Sequence, residues 1–514
     1  MMHSAALGAN PQMTTFSGKV FAPFAVASGL AALVAYVAYL LSSDADLLFV
    51  VVGMLGMAAI SSAAMLKARI DPFEPIVLFA FTVLMGCAFR SVFFYLADDD
   101  EYMVQRLTNG YSLGALSETA YWVPLALLIF GIAYATTQAR LPLPGLIRRD
   151  AWQPRRVRLV ILCLCTISAV STWALVRANN IDLFDLSVLS AKRRLEVETA
   201  RGTQYATLGY LRWGADLAGA SLFIYMISRC APVTAPIRRA TVFGALLRKA
   251  GFFLIFCVGV FWPIVCSSRT GILQLIFGTA LIYIYFSGQQ RSGVAGRRQF
   301  IRLSVLGVSV AVFVLASIGV WRQFSQTGEV RDETVAEAVM NNTVGAGNFM
   351  PLARTALIVR EMGGAKDFAL GETYAHIAFA PIPRTVWPDK PEMAVGLFVK
   401  REIYGHATSR SGYPPGMIGE AYINFGLVGV LIIPALLGAA VRILYNSFAP
   451  YLGRNRGATL VYSLMIWPIG FQLGGLDFKL TTVQTITAIA PAIVALAFLA
   501  PRTRGIRMPL PVGG

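Results

Sequence analysis

Apolar residues in this 514-residue chain come in blocks of about twenty, the length a helix needs to cross a hydrocarbon core of about 30 Å. Such blocks run over Val20–Leu41, Asp46–Leu66, Phe73–Leu96, Glu118–Gln138, Val157–Arg177 and Leu208–Cys230. They continue over Gly251–Cys266, Gly271–Phe286, Leu303–Trp321, Pro415–Leu444, Leu460–Gly475 and Leu480–Leu499. Backbone groups facing lipid must satisfy one another, so each block is expected to be a helix. The alternating ten-residue segments of a membrane β-barrel are absent from the sequence. Composition agrees: 56% of residues are hydrophobic and only 14% charged, against roughly 25% charged in a soluble domain. The expected fold is an all-α polytopic membrane protein of about twelve transmembrane helices.

Charge orients these spans. With the N-terminus inside, segments 1–19, 67–74, 139–158, 229–249, 288–302, 442–457 and 501–514 share one side and carry a net +21. The opposite side, with its Asp98-Asp99-Asp100-Glu101 run, sums to about −4. Positive charge accumulates on the cytoplasmic side, so both termini are expected there. Topology and anionic headgroups account for the net charge of +17, and no nucleic-acid partner is called for. Only Lys19 precedes the first span, without a small-residue cleavage site, so that span reads as a retained anchor. The six cysteines (Cys87, Cys163, Cys165, Cys230, Cys257, Cys266) lie in or beside apolar blocks without zinc-ligand spacing. Neither disulfides nor a metal is expected.

The spans divide the chain into residues 1–321 with nine helices, a large outer loop over 322–414, and 415–514 with three helices and a cytoplasmic tail. The loop is partly helical by pattern: Thr334–Met340, Leu352–Met362 and Ala394–Tyr404 space apolar residues three and four apart. Its ten basic and ten acidic residues suit a substrate-contacting element that lies across the mouth of the bundle as a lid. No internal repeat and no phosphate-binding glycine loop is visible.

Three groups of residues could carry chemistry. The first is arginine near the outer surface. Arg90 lies roughly 9 Å inside the third span at 1.5 Å per residue, Arg212 enters the sixth span from outside, and Arg269 occupies the tight turn Ser267-Ser268-Arg269-Thr270-Gly271. Guanidinium groups grip phosphate oxygens bidentately. The plainer readings are snorkelling for Arg90 and an ion pair with Asp216, four residues on, for Arg212. The second is Pro381-Ile382-Pro383-Arg384-Thr385-Val386-Trp387-Pro388-Asp389-Lys390-Pro391. Prolines stiffen it, and Arg384, Asp389 and Lys390 present charge beside Trp387, whose face suits a sugar ring; a rigid solvated loop is the alternative. The third is Gly416-Met417-Ile418-Gly419-Glu420-Ala421-Tyr422-Ile423-Asn424-Phe425-Gly426-Leu427-Val428-Gly429, which places Glu420, Tyr422 and Asn424 at the outer start of the tenth span. His376 and His406 of the large loop, and Glu372 beside the former, are further acid–base candidates or ordinary surface residues.

Ser268-Arg269-Thr270-Gly271, Pro383-Arg384-x-x-Trp387-Pro388-Asp389-Lys390-Pro391 in a large outer loop, and Gly419-Glu420-x-Tyr422-x-Asn424-Phe425-Gly426-x-x-Gly429 opening the next span resemble the bacterial oligosaccharide repeat-unit polymerases, the Wzy-type O-antigen and exopolysaccharide polymerases. The resemblance is best over residues 260–440. Arg401 and Gly412 match the arginine–ten residues–glycine spacing of some members. The related O-antigen ligases carry a His-Asn motif, whereas His406 is followed by Ala407.

This resemblance implies a GT-C-like, metal-independent glycosyltransferase without a cofactor, in the bacterial inner membrane. It would act on undecaprenyl-diphosphate-linked oligosaccharide in the bilayer, with a chain-length regulator and a flippase as protein partners. Arg269, Glu420, His406 and Glu372 are the implied catalytic set. Arg90, Arg212, Arg384, Trp387, Asp389, Lys390, Arg401, Arg410, Tyr422 and Asn424 would bind substrate. Ligase activity is the enzymatic alternative. A polysaccharide flippase or transporter is the alternative of another class, and it should concentrate charge near the midplane on broken helices.

Overall fold

The computed structural model describes residues 15–97, 102–178, 211–231, 242–265, 269–288, 349–379, 395–408 and 412–499, with shorter pieces at 302, 309, 313, 317, 340–341, 343–344, 382, 386–387 and 389. Among them the chain is helical and holds no strand; Phe16 and Ile70 exchange one pair of backbone hydrogen bonds of 2.9 and 2.7 Å. The helices of the first half are α1 (Ala22–Ser42), α2 (Leu47–Met65), α3 (Pro75–Leu96, with a π-turn at Leu84–Phe89), α4 (Tyr102–Thr108), α5 (Leu113–Ala120), α6 (Trp122–Thr136), α7 (Pro154–Ala178), α8 (Leu217–Cys230), α9 (Val242–Val265) and α10 (Arg269–Gly288). The second half adds α11 (Leu352–Ala365), α12 (Glu372–Ala375), α13 (Val395–Phe398), α14 (Gly416–Phe448), α15 (Arg456–Trp467) and α16 (Phe478–Leu499).

Six of these, α1, α2, α3, α7, α14 and α16, are long and apolar enough to cross a membrane, and Val104–Ala120 with α6 makes a seventh if its 48° bend is taken as one span. Shorter apolar helices, Lys249–Ile264 and Thr270–Phe286, fill two more of the marked blocks. The block at 303–321 lies mostly outside the described residues. The block at 460–475 is not a single straight helix: α15 stops at Trp467, and Pro468–Gln472 continues as a π-turn. This is an all-α, multi-pass membrane architecture.

The helices share two ends. At the loop end, the Tyr95 hydroxyl donates to Asp44 Oδ2 (3.1 Å) and the Gly114 N–H donates to Asp46 Oδ1 (2.6 Å), joining α1–α2 to α3 and α5. At the opposite turn end, residues 66–74 link α2 to α3. Apolar packing forms two sectors. One gathers α2, α3, α5, α6, α11 and the start of α14; the other gathers α7, α8, α10, α15 and α16. α11 was expected as part of a lid, yet Leu352, Ala356, Leu357 and Ile358 are at most 1% exposed. Its apolar residues cover more than one face, so it packs inside the first sector against α5 and α14 instead of lying over the mouth.

The turn end holds a buried polar network. Glu74 contacts Lys67, accepts from Arg442 Nη1 (2.5 Å), and accepts from the Tyr134 hydroxyl (2.9 Å). Asp71 accepts from the Tyr285 and Tyr445 hydroxyls (2.8 and 3.2 Å) and from the Phe73 N–H (2.9 Å). Lys67 and Arg442 also lie over the Tyr134 and Tyr445 rings, 5.4 to 5.7 Å from their centroids. Burial pushes the Asp71 carboxyl up, while its hydrogen bonds and Lys67 pull it back. Two cations face two carboxylates, so this cluster is balanced and ties α6, α10 and α14 to the 66–74 turn.

Candidate functional site at the loop end

α14 follows Pro414-Pro415 and keeps helical geometry up to Phe425. At Gly426 the backbone swings to φ 58° and ψ −143°, and the helix resumes beyond it. Glycine alone takes such a conformation without strain. A Cβ on Gly429 would fall 2.1 Å from the Ala421 carbonyl oxygen, so this second glycine is needed for the break to close. The expectation of one unbroken span over Pro415–Leu444 is therefore corrected. A break frees carbonyls that must be paired, and residues 369–371 pair them: Ala369 N–H donates to Ile423 O (2.9 Å) and Leu370 N–H to Asn424 O (3.0 Å). Leu370 and Gly371 reach them in left-handed conformations, at φ 46° and 94°.

The same break carries the site. Glu420 and Asn424 are fully buried, at 0% exposure. The Thr373 hydroxyl donates to Glu420 Oε1 (2.8 Å), and the Phe478 N–H, at the start of α16, donates to Oε2 (2.5 Å). Asn424 Nδ2 donates to Thr373 Oγ1 (2.7 Å) and to the Glu420 carbonyl (2.8 Å), while its Oδ1 accepts from the Gly371 N–H (3.0 Å). Asp477 and Lys479, both buried, stand within electrostatic reach of Glu420. Asp477 caps α16 by accepting from the Leu480 N–H (2.6 Å), and burial pushes its carboxyl up. The Tyr374 ring stacks on Phe425 (6.3 Å) and meets Phe478 edge-on (5.7 Å). Burial, with Glu420 close by, pushes its hydroxyl above the usual phenol range, which keeps it a proton donor.

Three polar atoms on these segments, Tyr374 Oη, Gln472 Oε1 and Thr481 Oγ1, are buried without a hydrogen-bond partner. Each such atom costs about 1–3 kcal/mol, and the first belongs to the residue next to Thr373. Glu420 keeps a free lone pair on each oxygen beside the hydrogen bonds it accepts. The arrangement can therefore hold a hydroxyl and accept its proton.

Other predicted residues are placed as follows. Arg90 is buried at 3% exposure on α3, donates Nε–H to the Val344 carbonyl (2.9 Å), and lies within electrostatic reach of Arg354 on α11. It does not snorkel. Arg269 begins α10, whose other end carries Tyr285 of the turn-end network, so its backbone is at the loop end; its side chain is outside the described residues. Arg212 is exposed and within electrostatic reach of Asp216. Tyr422 is buried edge-on to Phe368 (5.8 Å). Trp387 meets Phe379 edge-on (5.4 Å), and Asp389 is exposed. Glu372 is exposed, 3.4 Å from His376 Nε2. Arg401 is half-buried after α13, and His406 lies on an exposed turn where its N–H donates to the Lys400 carbonyl (3.1 Å). Arg384, Lys390 and Arg410 fall outside the described residues.

Glu420 and Asn424 are thus brought together, joined by Thr373, the neighbour of Glu372. Sequence reasoning missed Thr373, Asp477, Lys479 and Arg354. Asp477 and Lys479 did leave a trace, two charges interrupting the apolar blocks of residues 460–499. Fold and site together define an all-α multi-pass membrane protein with a buried carboxylate network at one mouth of its helix bundle. Compared with known proteins, the chain matches no family model, no curated protein and no solved structure.

Proposed function

We propose that the protein is a membrane glycosyltransferase of the repeat-unit polymerase type, with about twelve spans in a GT-C-like arrangement and both termini cytoplasmic. It would lengthen undecaprenyl-diphosphate-linked oligosaccharide at the periplasmic face of the bacterial inner membrane. The observation that carries this reading is the buried Glu420–Thr373–Asn424 network at the end where the large loop enters. In the reaction, the acceptor hydroxyl oxygen bonds to the anomeric carbon of the growing chain while that carbon's bond to the diphosphate oxygen breaks. The bonding electron pair leaves with the diphosphate, and the hydroxyl proton passes to Glu420. Thr373 and the Phe478 N–H hold the carboxylate in place. Arg269 and Arg90 at the same end would offset the leaving group's charge, and preorganised cations in a partly dry site do so strongly.

Purified protein given a lipid-linked repeat unit should extend it into a ladder, and Arg269→Ala should abolish the ladder with no loss of folded protein. A normal ladder from that variant overturns the role of Arg269. Absence of any ladder from the wild type overturns the reading itself. The break at Gly426 favours a second reading, a flippase or transporter, because broken helices with buried polar groups also build translocation sites. Reconstituted vesicles decide between them: a transporter moves the lipid-linked unit across the bilayer without lengthening it. Failure only to attach finished polymer to a lipid core would instead indicate a ligase.

A further inference from the structure

Between α6 and α7 the chain crosses the turn end of the bundle as an irregular strap over residues 137–153. It is tied to three helices. The Leu141 N–H donates to Ser447 Oγ (2.8 Å) near the end of α14, Asn455 Nδ2 at the start of α15 donates to the Arg148 carbonyl (2.6 Å), and the Gln153 N–H donates to the Leu499 carbonyl (3.1 Å) at the end of α16. A Cβ on Gly457 would fall 2.3 Å from the Ile147 carbonyl oxygen, so a glycine is what lets α15 approach the strap. Leu143, Ile147 and Trp152 pack into the second sector, none more than 8% exposed.

The polar side of this strap is basic. Six arginines and a single acidic residue fall within 139–158. That acid, Asp150, is engaged by α15: it accepts from the Arg456 N–H (2.7 Å) and lies 4.0 Å from Arg456 Nε. Arg156 Nη1 donates to the Phe498 carbonyl (3.1 Å). Among the described residues, the side chains of Arg148, Arg149, Arg155 and Arg158 make no hydrogen bond or ion pair, and all but the half-buried Arg149 are exposed. Arg155, Arg156 and Arg158 also crowd the first turn of α7, which holds no acid, although the helix dipole disfavours cations there. Helix stability therefore does not explain them.

From this base an exposed stripe rises along α7 at spacings of three and four, through Leu159, Leu162, Thr166, Val170 and Trp173, positions that share one face of a helix. It ends where the Arg177 guanidinium lies 5.9 Å from the Trp173 ring centroid. Arg158 and Arg177 are about 28 Å apart along the axis at 1.5 Å per residue, close to the hydrocarbon thickness of about 30 Å. The stripe thus matches acyl chains in length, and the arginines at its base fall at headgroup depth.

We propose that the strap and the base of α7 form a binding site for the headgroup of an anionic phospholipid, with Arg148, Arg149, Arg155 and Arg158 supplying the charge and the α7 stripe receiving the acyl chains. The site is at the opposite end of the bundle from Glu420 and stands without the polymerase reading.

The test titrates the full-length protein in a mild non-ionic detergent with phosphatidylglycerol and, separately, with phosphatidylcholine of the same acyl chains. Bound lipid is read by native mass spectrometry and stability by melting temperature. Saturable binding of phosphatidylglycerol is expected, with a rise in melting temperature that phosphatidylcholine does not produce. An arginine near an anionic membrane surface contributes about fivefold in affinity. Arg155→Gln/Arg158→Gln should therefore weaken binding about twenty-fivefold, Arg148→Gln about fivefold, and Arg155→Lys/Arg158→Lys should retain it. Without lipid, the Arg155→Gln/Arg158→Gln pair should melt no lower than the wild type, because it removes cations from a helix N-terminus; this separates lost binding from unfolding. Arg69→Gln removes an exposed charge from the same end but outside the strap and should leave binding unchanged. Equal binding of the two lipids by the wild type overturns the proposal, as does unchanged binding in the Arg155→Gln/Arg158→Gln pair. Equal weakening by Arg69→Gln also overturns it, since diffuse charge would then suffice. Binding of soluble polyglutamate without preference for phosphatidylglycerol would replace the lipid with an acidic soluble partner and likewise overturn it.

Discussion

The two ends of the bundle each bury a polar cluster, and they are built on opposite principles. At the turn end, Lys67 and Arg442 face Glu74 and Asp71, and four tyrosine hydroxyls (Tyr134, Tyr285, Tyr445 and Tyr462) donate into that region, the last to the Phe73 carbonyl (2.7 Å). Nearly every group has a partner; Arg442 Nε is the exception. At the loop end, Glu420, Asn424 and Thr373 satisfy one another, but Tyr374, on the segment that supplies Thr373, and Gln472 and Thr481, on the segments flanking Phe478, each keep a buried atom unmatched. A balanced and satisfied network serves to hold helices together. An incompletely satisfied one has spare hydrogen-bonding capacity, which a ligand can use.

The sharpest way to break this contrast is Glu74→Leu. It strands the buried Lys67 and the half-buried Arg442, which costs about 3–5 kcal/mol, so a large fall in melting temperature or failure to recover folded protein is expected. Pairing Lys67→Met with Glu74→Gln should recover part of that loss; full stability of Glu74→Leu would show that the turn end does not brace the fold. Glu420→Gln is the mirror experiment. It keeps size and most hydrogen bonds, so melting should change little while chain extension falls by about 10²–10⁴-fold, the usual contribution of a proton acceptor. If both stability and activity survive, the loop-end network is structural as well.

Gly426→Ala probes the break that holds the loop end open. A Cβ there would meet the Phe368 ring at 2.9 Å on a left-handed backbone, so a loss of about 1–3 kcal/mol is expected, read by thermal denaturation. The smallest effect concerns Asp477. Its folded-state carboxyl is raised above the ordinary 3.8 by burial, so the folded state holds its proton to higher pH than the unfolded chain. Its contribution therefore turns against folding as pH rises above 3.8. Asp477→Asn should flatten the fall in melting temperature over that window; an unchanged slope would place the titration elsewhere.

Glu420 and Asn424 are legible in the sequence because they lie four residues apart in one glycine-rich segment, and local spacing is readable from a linear chain. Arg90 is readable as an anomaly, a charge inside an apolar block. Thr373 and Phe478 are not readable as partners, since they meet Glu420 across separations of 47 and 58 residues. Arg354 is hidden inside an apolar pattern that marks a loop helix, and only packing turns that helix into core. The turn-end network leaves a faint sign, a net charge of zero over residues 67–74 where the other segments of that side are positive.

Hydropathy by itself determined that the described residues form helices, several of them long enough to span a bilayer, because a backbone in lipid has to pair its own N–H and C=O groups along the segment. Tertiary structure alone decided where α14 breaks, that α11 enters the core, and which polar groups face one another at each end. Those outcomes depend on contacts between residues tens to hundreds of positions apart, whose energies no local pattern encodes.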